Sequence, residues 1–84
     1  MPVKTNKIKL DTPATYRVRF QGSLDVSWAD RLGGMTVEVT QAPGEAPVTT
    51  LTGWLEDQAA LGGVLGTIYD LGLPLLAVER LEDN

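Results

Sequence analysis

The 84-residue chain contains neither histidine nor cysteine, so the commonest general base, the commonest metal ligand and any disulfide are excluded together. Its formal charge of -4 repels phosphate backbones on average. A domain this small buries only about 60–65% of its unfolded surface, so self-association is the remaining common aid to stability.

The opening ten residues, MPVKTNKIKL, have no apolar signal core and no small-residue cleavage site, so a cytoplasmic protein is expected. No apolar run is long enough to span a bilayer. Residues 1–13 show no sustained period and close on the turn cluster Asp11-Thr12-Pro13. They read as a loosely ordered lead-in to one domain over 14–81, with a short tail at 82–84. Lys4, Lys7 and Lys9 crowd one end while Glu79, Glu82 and Asp83 crowd the other. Both groups read as solvated termini.

From Ala14 to Gly22 the pattern alternates, with Tyr16, Val18 and Phe20 on one face and Arg17, Arg19 and Gln21 on the other. That is a half-buried strand. Leu24, Trp28 and Leu32 then recur at four-residue spacing, and Ser27 with Asp30 imitates a capping box. One or two helical turns are expected there, stopped by Gly33-Gly34 and carrying Trp28 and Leu32 inward. Met35 to Thr40 alternates again. The QAPGEAP segment after it predicts a hairpin loop. Val48 to Leu55 is the third strand, with Leu51, Gly53 and Leu55 toward the core and Thr50, Thr52 and Trp54 outside.

The strongest signal lies over Asp57 to Leu81. Leu61, Val64, Leu65, Ile68 and Leu71 share one helical face. Asp57 stands as the N-cap, Gly72 as the left-handed C-terminal residue, and Pro74 forbids a restart. Leu73 is placed to fold back against Ile68. Leu75 to Val78 form an apolar run expected as a strand buried on at least one face.

These elements predict an α+β, ferredoxin-like βαββαβ two-layer sandwich with a very short first helix and a four-stranded antiparallel sheet. Right-handed crossovers place the first and third strands centrally and both helices on one face. The uncovered face then carries Arg17, Arg19, Gln21, Thr36, Glu38, Thr40, Thr50, Thr52 and Trp54, joined by Leu75, Ala77 and Glu79. Trp54, Leu75 and Ala77 are apolar where solvent is expected. They suggest an interface anchor, with Arg17 or Arg19 paired to Glu38 or Glu79 at its rim. The competing reading has Trp54 covered by the lead-in. RNA binding on this face is disfavoured, because only Trp54 of the aromatics points outward and the charge is wrong.

Gly62, Gly63 and Gly66 lie inside the helix, each costing about 0.8–1.0 kcal/mol relative to alanine. Close packing on the sheet is the ordinary explanation. The functional one is a groove formed by Gly62 and Gly66 beside Tyr69, open to a partner helix or a small ligand. LGGVLG lacks the lysine and hydroxyl residue of a phosphate-binding loop. Ser23 and Ser27 have no base to activate them, and Glu56, Asp57 and Asp70 are better read as helix-terminal or solvated charges. No catalytic residue, metal site or cofactor is expected.

The segment WLEDQAALGGVLGTIYDLGLPLLAVERL resembles a family of small uncharacterised bacterial proteins. Their hallmarks are an Asp57-Gln58-Ala59-Ala60-Leu61 helix start and an Asp70-Leu71-Gly72-Leu73 turn. The upstream GSLDVSWADRLGGMTVEV is similar to the family's glycine- and tryptophan-bearing turn, so the likeness covers most of Gly22 to Leu81. Relatives often carry histidine where this chain has Gly62. The resemblance implies a compact α/β domain and no particular activity.

The favoured expectation is a non-catalytic cytoplasmic interaction module, a homodimer through the open sheet face that also contacts another protein. The alternative is a small-molecule-sensing regulatory domain with its ligand beside Gly22-Ser23-Leu24.

Overall fold

A computed structural model describes residues 13–81. The lead-in before Pro13, its proposed cover over Trp54 and the tail at 82–84 lie outside the described residues. Strand β1 spans Ala14–Gln21, and a 3-10 helix follows at Val26–Leu32. Strands β2 and β3 run over Thr36–Thr40 and Val48–Leu55. Helix α1 covers Gln58–Asp70, and β4 spans Leu75–Leu81. The result is an α+β domain with one antiparallel sheet of order β2-β3-β1-β4 and one main helix.

Alternation in β1 survives as burial. Tyr16, Val18 and Phe20 are buried against Leu51 and Leu55 of β3 and Val64 and Ile68 of α1. Leu24, Leu32 and Met35 close the same core from the connecting segment. Gly53 sits on the core face because Met35 crosses it closely. A Cβ at residue 53 would meet the Met35 backbone Cα at 3.0 Å. Thr49 is the one buried polar side chain among the described residues, and its hydroxyl donates to the Gly22 carbonyl at 2.7 Å. That hydrogen bond makes its burial tolerable.

Asp57 caps α1, accepting from the Ala60 N–H at 2.8 Å. The helix ends in a Schellman turn. Gly72, at φ 73°, donates to the Tyr69 carbonyl at 2.9 Å, and Leu73 donates to that of Ile68 at 3.3 Å. The 3-10 helix departs from expectation at its start. Asp25, not Ser27, is the cap, and its carboxylate accepts from the Ser27 N–H at 3.1 Å. A carboxylate preceding the turn reaches the free N–H two residues on, so Ser27 falls inside the element instead of before it. Leu32 is fully buried and Trp28 partly so, with Arg31 lying 5.1 Å over its ring.

Strand β4 is the larger departure. It forms a sheet edge, and Leu75, Leu76 and Val78 are all exposed instead of buried. Its pairing with β1 also slips. Arg19 faces Ala77 while Phe20 faces Leu75, which leaves Leu76 without a partner in a β-bulge. Residues on either side of one extra residue no longer keep the simple two-residue alternation.

A candidate interaction surface between helix and edge strand

The bulge moves Leu75. Because paired residues share a face, its position opposite buried Phe20 puts Leu75 on the helix side of the sheet. The open-face position expected for it is therefore corrected. Trp54 pairs at the opposite end of β1, with Thr15, and is 59% exposed. The residue borders a different hollow, with Gly33, Leu55, Glu56 and Ala60. Trp54 and Leu75 thus lie at opposite ends and on opposite faces, and they cannot anchor one patch.

Away from Trp54, the open face is mostly polar. Arg17, Arg19, Glu38, Thr50, Thr52 and Glu79 line a shallow depression, with Ala77 opposite Arg19. Arg17 Nε donates to Glu79 Oε1 at 2.8 Å, the one ion pair among the described residues. That hydrogen bond, then the guanidinium's charge, holds the Glu79 carboxyl below its ordinary range, and the same bond, then the carboxylate's charge, lifts the Arg17 guanidinium. Both side chains are nearly half exposed, so solvent screens the pair.

The apolar surface lies elsewhere. Leu65, Gly66, Ile68, Tyr69, Asp70, Leu73 and Leu75 line a cleft of about 500 Å³ between α1 and β4. Of its lining Tyr69 is 82% exposed, and Leu71, Leu76 and Val78, outside the lining, are exposed too. Helix α1 packs against β3 and the 3-10 helix, while β4 lies at the far edge beyond β1, with no described helix packed over it. The cleft takes in Gly66 and Tyr69 of the expected glycine groove and omits Gly62. Nothing lies within 4 Å of a Cβ built on Gly62, Gly63 or Gly66, so close packing does not account for these glycines. Leu71, the residue that caps the C-terminal end of α1, is exposed as well.

Leu76, Val78 and Leu71 were not marked as surface by the sequence. The one signal for Leu76 and Val78 is the place of the apolar run at the end of the strand order, where a strand has a described neighbour on one side. The turn expected to hold a small ligand is engaged internally. Gly22 donates to the Pro47 carbonyl at 2.8 Å and accepts from Thr49, while Leu24 is buried. Among the described residues no group of three or more acidic side chains is placed to hold a metal ion. None of their helices is long and apolar enough to cross a membrane.

These features define a small α+β domain with a polar sheet face and an apolar flank between helix and edge strand. Residues 15–79 match the family described as a domain of unknown function, DUF8691, and the chain belongs to it. The uncharacterised family expected from the helix start and the Asp70-Leu71-Gly72-Leu73 turn is thus established. No curated protein and no solved structure matches the chain.

Proposed function

We propose that the protein is a non-catalytic interaction module whose contact surface is the α1–β4 flank. One observation carries the reading: the α1–β4 cleft is lined by apolar side chains that include the exposed Tyr69 and Leu75, and Leu71, Leu76 and Val78 in the adjoining stretches of chain are exposed as well. Contiguous apolar surface on so small a domain is costly in water and marks a docking site. The ionisable groups of the cleft lining are Tyr69 and Asp70, with no cationic side chain there to activate either. Acid–base or nucleophilic chemistry needs an activating partner of that kind.

The same reading takes the fold as ferredoxin-like βαββαβ, with the 3-10 helix in place of the first helix. The element order and the central positions of β1 and β3 support it. A cytoplasmic setting fits a cysteine-free chain.

The test is site-specific photo-cross-linking in the cells that make the protein. A benzophenone side chain at position 69 should give a discrete protein adduct, and one at position 50 on the polar face should not. No adduct from position 69, or equal adducts from both positions, would sink the proposal.

A further inference from the structure

We infer that the occupant of this flank is a second copy of the chain, joined by antiparallel pairing of the two β4 edges about a twofold axis at Val78. The inference rests on the α1–β4 flank being the contact surface. It would extend the sheet to eight strands, with β4 and its copy at the centre.

Among the described residues each edge of the sheet offers a row of backbone groups with no strand beside it, and the two edges are not equivalent. The β2 edge reads TVEVT, so pairing it with its own copy about its midpoint sets Glu38 against Glu38. Like charges directly opposite are destabilising. The β4 edge reads LLAVERL, and its midpoint is Val78. Pairing there brings Val78 against Val78, Ala77 against Glu79 and Leu76 against Arg80, with the bulge ending the ladder before Leu75. This register opposes no like charges. Shifting the axis to Glu79 or Arg80 would oppose identical charges.

Charge placement supports the same pairing. Glu79 is the only carboxylate on β4, and Arg17 of its own chain holds it at 2.8 Å on the open face. The edge therefore brings no free carboxylate to the contact. Arg80 lies opposite Leu76, where its aliphatic stem covers apolar surface while its head reaches water. The exposed Leu76 and Val78 would lose water on pairing, and the two α1–β4 clefts would flank the joined strands on one side.

The absence of cysteine makes the register directly testable. Opposed residues in an antiparallel pair have Cα atoms about 4.5–5.5 Å apart, within the range of about 4.4–6.8 Å that a disulfide spans. Val78→Cys should oxidise to a covalent dimer at least about tenfold faster than Gly62→Cys, an exposed control on α1. Val78→Lys and Val78→Glu should each sediment as monomers, and an equimolar mixture should recover the dimer through the opposed charges. A wild type that stays monomeric at high micromolar concentration overturns the inference. So does a dimer that survives Val78→Lys, or equal oxidation rates for the two cysteine variants. These failures are distinct from failure of the flank itself. An adduct from position 69 heavier or lighter than twice the chain upholds the contact surface while rejecting the second copy.

Discussion

Phe20 and Leu75 face each other across β1 and β4, one fully buried and the other half exposed. Their pairing sets which way the last strand presents its side chains. Leu76, between Leu75 and Ala77, has no counterpart on β1, so it is the residue the ladder does not need. Deleting Leu76 should therefore leave Phe20–Leu75 and Arg19–Ala77 as consecutive pairs, with the faces of both strands unchanged. The expected outcome is cooperative unfolding with a loss of about 1 kcal/mol or less. Urea denaturation checks it, and a noncooperative or unfolded deletion variant would show that the bulge is required.

Asp57→Ala should cost about 1 kcal/mol, because it removes the acceptor from the Ala60 N–H at the start of α1. Chemical denaturation with an unchanged slope is the measurement. Asp57→Asn should recover most of the loss, since an amide oxygen can accept the same bond. Equal losses in both variants would mean that the carboxylate's charge, not the cap, is what matters.

The helix glycines and Gly53 should respond in opposite directions to alanine. Gly62→Ala finds open space and should stabilise by up to about 0.8–1.0 kcal/mol from helix propensity. Gly53→Ala drives a methyl toward the Met35 backbone and should destabilise by about 1–3 kcal/mol. Thermal unfolding at a concentration where association is held constant compares them. A destabilised Gly62→Ala would indicate that something outside the described residues occupies the site.

The Arg17–Glu79 pair gives acid sensitivity of a definite sign. The folded-state Glu79 carboxyl lies below its unfolded value, chiefly through its hydrogen bond to Arg17. Its contribution is thus fully present above the ordinary carboxylate range and disappears as pH falls through the lowered folded value. Arg17 stays charged throughout that window, because its own shift is upward. Glu79→Gln should flatten this part of the acid limb, and added salt should shrink the wild-type effect, as expected for an exposed pair. Stability against pH at two ionic strengths measures both.

The regular parts of the fold were legible because their side chains repeat. Tyr16, Val18 and Phe20 fixed one face of β1 by alternation, and Val48–Leu55 could be bounded by the turn residues around it. Asp57 and Gly72 marked both ends of α1 through the backbone groups a helix leaves free. The run Leu75-Leu76-Ala77-Val78 carries no alternation, so neither the bulge nor the exposed face could be read from it. Asp25 was passed over for Ser27 because a short 3-10 turn begins with a different reach from the four-residue spacing of an α-helix. The apolar flank escaped notice for a related reason. It depends on which strand the helix fails to cover, and that follows from the sheet order rather than from any local stretch.

The central place of β1 has a consequence for the order in which the chain can fold. Arg17 and Glu79 touch although they are 62 residues apart in sequence, and both neighbours of β1 are synthesised after it. Only β2 and β3 can zip as a local hairpin. Strand β1 can gain β3 as its first neighbour, but its other edge must stay bare until β4 has left the ribosome. Long-range pairing of this kind slows folding and prolongs the exposure of strand edges. Translation pauses just before residue 75 would therefore lengthen the period in which Tyr16, Val18 and Phe20 lack their final neighbour. In a cell, the speed of making this chain bears directly on how much of it reaches the folded state.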